Sequence, residues 1–110
     1  MSKRWYQENK RDPWRRDAKS KGYRARSAYK LKQIQEKFGI LRKGDAVLDI
    51  GCHPGGWTQV AVEEVGEGGT VIGVDLLATS PIEGAVVLVG DITEGETIEE
   101  IVGHLGGRGL

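Results

Sequence analysis

Apolar and polar positions change rhythm along this chain, and each change marks an element. In "RSAYKLKQIQEKFGI", residues 26–40, Tyr29, Leu31, Ile34 and Phe38 recur near one face at helical spacing. Ser27 can cap that helix and Gly39 can stop it. From residue 45 the pattern shortens. "DAVLDIG" (45–51), "TVIGVDL" (70–76) and "GAVVLVGD" (84–91) are brief, nearly continuous apolar runs, the signature of buried parallel strands. "GGWTQVAVEEV" (55–65) predicts a helix with Val60, Ala61 and Val65 inward, and "GEGG" (66–69) a turn. Thr93 and Glu96 have capping-box spacing ahead of "TIEEIVGHL" (97–105), a helix closing in "GGRG". The order strand–helix–strand–strand–helix predicts an α/β fold, half of a doubly wound parallel sheet.

Residues 1–26 follow no such period and predict an irregular or partly helical arm ahead of a body at 27–110. Trp5, Tyr6, Trp14 and Tyr23 are interleaved there with basic residues. The net charge of the whole chain is zero, yet residues 1–43 carry +11 and residues 44–110 carry −11. A basic arm with aromatics suits nucleic acid, whose phosphates attract cations and whose unpaired bases stack on rings. Arg15, Arg16, Lys19, Lys21, Arg24 and Arg26 are the candidate contacts. The alternative is a solvated tail whose rings pack on the body. With 110 residues the chain is at most one domain. No apolar run approaches the roughly 18 residues of a membrane span, and the basic N-terminus lacks a signal-peptide core. A single cysteine, Cys52, fits a reducing cytoplasm.

The chemistry concentrates in "DIGCHPGGWTQV", residues 49–60. In an open parallel sheet, ligands bind beyond the carboxyl ends of the strands. All three runs end there in a candidate: the turn at 51–57, Asp75 and Asp91. A dinucleotide fingerprint would read G-x-G-x-x-G. Here His53 takes the middle glycine's place, and Pro54 removes a backbone donor from any phosphate cradle. No Lys-Ser/Thr follows the glycines, so the Walker pattern also fails. A nucleoside without phosphates fits better. Asp75, 24 positions after Gly51, can accept both ribose hydroxyls, and Asp91 can accept from an adenine amine. Gly51, Gly55 and Gly56 let a methionine-like chain approach the backbone. The cofactor implied is S-adenosylmethionine. The plainer alternative is that the two aspartates cap loops and the glycines only turn the chain. Cys52 and His53 have no further Cys or His nearby to complete a metal site, and none is expected.

"GYRARSAYKLKQIQEKFGILRKGDAVLDIGCHPGGWTQVA" and "GTVIGVDLLATSPIEGAVVLVGDIT" resemble the FtsJ-type RNA 2′-O-ribose methyltransferases over about residues 20–94. "RSAYKL", "PGGW", "VDLL", "PIEG" and "GD" stand in that family's order and spacing, and the basic arm resembles archaeal members. The resemblance implies a Rossmann-like methyltransferase fold and transfer of a methyl group from S-adenosylmethionine to a ribose 2′-hydroxyl. A uridine of ribosomal RNA is the first expectation, with transfer RNA as the alternative. It implies cofactor roles for Gly55, Trp57, Asp75 and Asp91, and a catalytic role for Lys30 in "SAYKL". The turn departs from the family's usual "GAAPGGW", since Cys52 and His53 stand where two alanines are usual.

The family's remaining catalytic Asp, Lys and Glu would follow a fourth strand that has no counterpart here. The resemblance therefore covers its N-terminal half, three parallel strands with flanking helices. The expectation is a truncated or interrupted version of a longer enzyme, or a chain needing a partner. The strand "AVLDI" would then present an apolar edge open to self-association or to a partner strand. An isolated lysine with a pKa of about 10.4 is almost wholly protonated at neutral pH, so Lys30 alone is expected to orient RNA rather than act as base. The rival from another class is a non-catalytic RNA- or nucleoside-binding module. A dinucleotide oxidoreductase is the third reading, weakened by the failed fingerprint.

Overall fold

The computed structural model describes residues 22–110, and the arm residues Arg15, Arg16, Lys19 and Lys21 lie outside them. Its elements are α1 (Ser27–Phe38), β1 (Ala46–Ile50), α2 (Gly56–Val65), β2 (Thr70–Asp75), β3 (Val86–Val89) and α3 (Gly95–Leu105). The strands form one parallel sheet in the order β1-β2-β3. Ala46 to Ile50 pair with Thr70 to Val74, and Ile72 to Asp75 pair with Val86 to Val89.

Side-chain alternation on β2 assigns each helix its face. Val71 points to the α2 side, packing with Ala61 and Val65. Ile72 and Val74 point the other way and bury Ile101 of α3. α1 lies outside α2, where Ala28, Tyr29 and Leu31 enclose Val60 together with Tyr23. Helices thus cover both sheet faces, as the near-continuous apolar strands require. Tyr23, read as part of the arm, is a core residue: it is buried, and its ring meets Tyr29 edge-on at 5.7 Å.

Three local expectations are corrected. Ser27 does not cap α1: Arg26 occupies the N-cap position with helical dihedrals, and no side chain caps the helix. Phe38 is 66% exposed, since Gln35 already meets Glu64 at the end of α2 and Phe38 lies a turn further on; Lys37 Nζ lies 5.4 Å from its ring centre. The capping box at Thr93 and Glu96 does not form, since Glu94 is the N-cap and Thr93 instead bonds Asp91. Gly39 does stop α1, at φ 57° with its N–H on the Gln35 carbonyl. Among the described residues β1 pairs on one side only. Val47 and Leu48 are consequently half-buried and Ile50 is 58% exposed, as expected of an open edge.

Candidate functional site

The turn from β1 into α2 is shaped by close packing beneath it. Gly55 has φ 120°, a conformation that demands glycine, and a Cβ there would lie 2.6 Å from Ile82 Cδ1, which would have to move. Gly73, in the middle of β2, sits against Cys52: a Cβ on it would fall 2.9 Å from the thiol sulfur. The buried Cys52 therefore seats the turn on the sheet, and burial pushes its thiol pKa up. Fully buried Thr58 donates to Asp49 Oδ2 at 2.6 Å, anchoring the first turn of α2 to the end of β1.

Above this base lies a cavity of about 330 Å³, lined by Asp49, Ile50, the turn residues Gly51, Cys52, His53 and Pro54, and Ser27, Gly56 and Trp57. Of the sequence-predicted cofactor residues, Gly51, Gly56 and Trp57 line it directly. Gly55 is buried under the turn. The Trp57 indole N–H donates to the Ser27 carbonyl at 2.8 Å, joining the starts of α1 and α2 at the cavity wall. Asp75 stands beside it: its Oδ2 accepts from His53 N and its Oδ1 from Leu77 N, both at 2.9 Å. Those two N–H donors hold its carboxyl below the usual range. Asp91 lies one strand over and does not line the cavity. The Thr93 hydroxyl and N–H both donate to its Oδ1, lowering its pKa in turn.

Sequence reasoning passed over Asp49. Burial raises its pKa, Thr58 offsets part of that, and Asp75 adds a like-charge push in the same direction as burial. Asp49 is thus a half-buried carboxylate on the cavity wall with a second carboxylate near it. Its only sequence signal is an acid two positions before the glycine turn, within an otherwise apolar strand.

A second cleft of about 370 Å³ adjoins the first and shares Ser27 with it. It is lined by Arg26, Tyr29, Lys30 and Gln33, so Lys30 and Arg26 open on the same space. Arg24 is placed differently, with its guanidinium bonded to three backbone carbonyls. The exposed His53 has its Nδ1 3.2 Å from Thr79 Oγ1. Among the described residues no three His, Cys, Asp or Glu side chains converge as a metal would need, and no helix is long and apolar enough to cross a membrane.

Known proteins place the chain in a family. A ribosomal RNA large subunit methyltransferase E of Methanothrix thermoacetophila is 55% identical over 100 residues, covering 91% of this chain and 38% of that protein. Its counterpart in Methanothermobacter thermautotrophicus is 47% identical over 110 residues, covering 98% and 52%. The chain thus spans about half or less of the length of these relatives. The crystal structure of a ribosomal RNA methyltransferase from Plasmodium falciparum superposes with a TM-score of 0.58 at 35% identity, over 67% of this chain and 41% of that one. It supports a partial methyltransferase fold for the described elements. The profile of the FtsJ-like methyltransferases matches residues 23–109, and the chain belongs to that family.

Proposed function

We propose that this chain carries the cofactor-binding half of an RNA methyltransferase that uses S-adenosylmethionine to methylate a ribose 2′-hydroxyl, in ribosomal RNA. The observation that carries the reading is a cavity lined by Asp49 and the glycine turn at the carboxyl ends of parallel strands, with Asp75 bonded to that turn through His53 N–H. The relatives named above are ribosomal RNA methyltransferases, which supports the substrate class.

The residues fit the cofactor on chemical grounds. S-adenosylmethionine supplies an electrophilic methyl on a sulfonium, so the ligand brings positive charge. Asp49 and Asp75 set a negative field around the cavity, and Asp49 in particular gains by a cationic neighbour that offsets its burial. Asp75 is held ionised by two N–H donors, ready to accept from ribose hydroxyls. At Gly51 a Cβ would meet nothing within 4 Å, so the turn backbone there is open to an extended chain, while Gly55 and Gly56 leave room for Ile82, Arg24 and Ala25 of the protein itself. Lys30 and Arg26, in the adjoining cleft, would hold a phosphodiester and place the 2′-hydroxyl toward the shared wall at Ser27.

Calorimetric titration of S-adenosylmethionine into the chain, with Asp75→Ala alongside, tests this. Saturable binding that is lost in the variant supports the reading, and transfer of labelled methyl to ribosomal RNA then tests the reaction. Absence of binding by the folded chain would contradict it.

A further inference from the structure

The sequence places Arg24 in a basic arm suited to phosphates, but in the structure its half-buried side chain bonds the protein's own backbone. Nη1 donates to the Pro54 carbonyl at 3.2 Å and the Ser80 carbonyl at 2.6 Å, and Nη2 to the Pro81 carbonyl at 2.6 Å. Pro54 belongs to the glycine turn. Ser80 and Pro81 belong to the connector between β2 and β3. These are separate loops, and Arg24 is a bridge between them.

The bridge is itself anchored. The Arg24 N–H donates to Gln59 Oε1, and Gln59 Nε2 donates back to the Gly22 carbonyl, both at 2.9 Å. The adjacent Tyr23 hydroxyl donates to the Glu63 carboxylate on the same helix. The Arg24 stem packs with Ile82 against Gly55, its Cδ 3.3 Å from where a Gly55 Cβ would stand. A second link runs parallel to it, from His53 Nδ1 to Thr79 of the same connector.

We propose that Arg24 is a positioning residue for the cofactor: its planar fork fixes the separation of the glycine turn from the β2–β3 connector, and so the shape of the cavity wall. This rests on the reading that the cavity takes S-adenosylmethionine. Three carbonyls from two loops need donors in a fixed spread, which guanidinium has and a single ammonium lacks. Charge alone is therefore insufficient, and this separates the role from RNA contact. A phosphate-binding arginine tolerates lysine far better than a clamp does.

The test compares Arg24→Lys and Arg24→Ala with the wild-type chain, without RNA, by amide hydrogen exchange and by calorimetric titration of S-adenosylmethionine. Residues 51–57 and 79–83 should exchange about tenfold faster in both variants, with Val71, Ile72 and Val74 unchanged as evidence of an intact sheet. Cofactor affinity should fall about tenfold in both, with no rescue by lysine. Wild-type exchange and affinity in Arg24→Lys would overturn the proposal, as would unchanged loops in Arg24→Ala. If the wild-type chain binds no S-adenosylmethionine while the loops still loosen, the cofactor reading fails and the clamp stands.

Discussion

The contact between Cys52 and Gly73 predicts a stability cycle that can be worked through in numbers. Gly73→Ala places a methyl 2.9 Å from Cys52 Sγ, 3.1 Å from Cys52 Cβ and 3.2 Å from Thr58 Oγ1. Overpacking of this kind costs about 1–3 kcal/mol. Replacing a glycine within a strand returns about 0.5–1 kcal/mol of chain entropy, so the net loss should be about 1–2 kcal/mol. Cys52→Ala removes a small buried group and should cost about 1 kcal/mol. In the double variant the worst of the three contacts has gone, and the other two need only a small adjustment. The pair should then be about 1 kcal/mol more stable than the sum of the single losses predicts. Additivity between independent sites holds to about 0.5 kcal/mol, so the difference is measurable. Urea unfolding of the four proteins gives the cycle, and each kcal/mol should appear as about 4–8 °C in thermal melts of a chain this size. Additive losses, or no loss in Gly73→Ala alone, would refute the claim that the cysteine seats the turn on the sheet.

Other perturbations follow from the same contacts. Tyr23→Phe removes a hydroxyl donating to Glu63 at 2.6 and 2.8 Å and should destabilise the chain by about 1–2 kcal/mol in urea melts. Asp49→Asn keeps an acceptor for Thr58 and removes a carboxylate whose pKa burial raises above 3.8. The folded protein holds that proton more tightly than the unfolded chain, so ionised Asp49 is destabilising. The variant should therefore melt higher than wild type at pH 7, with the gap closing as pH falls through the raised folded pKa towards 3.8, while S-adenosylmethionine affinity drops. Asp75 behaves oppositely. Its folded pKa is lowered, so its contribution is present above 3.8 and lost as pH falls through the folded value. Asp75→Asn should flatten the acid limb of a stability–pH curve measured by thermal melts.

Much of this architecture was legible in the chain, and the reasons differ by element. The three strands announced themselves because both sheet faces are covered, which leaves runs such as "VIGV" no polar positions to alternate with. Their carboxyl ends, and hence the turn at 51–57 and Asp75, followed from topology, whereas Trp57 was singled out by the family resemblance. Helix ends were less readable, since Ser27 and Thr93 have side chains suited to capping that the structure uses elsewhere or not at all. Phe38 fits the helical period but not the length of the helix opposite, a property of the partner element that no local pattern encodes. Arg24 was misfiled for a similar reason. Its neighbours in sequence are basic, while its partners at positions 54, 80 and 81 are backbone carbonyls carrying no residue-type signal. Asp49 was hidden inside a strand, and only burial and its proximity to Asp75 make it distinctive.

The central claim, that the turn at 51–57 receives S-adenosylmethionine, is tested most directly by titrating that compound into nitrogen-15-labelled chain and following amide and indole resonances. The account predicts saturable shifts at Gly51, Gly55, Gly56, the Trp57 indole and Asp75, with the amides of α3 unmoved. Shifts absent from the turn, or confined to residues away from the carboxyl ends of the strands, would contradict it.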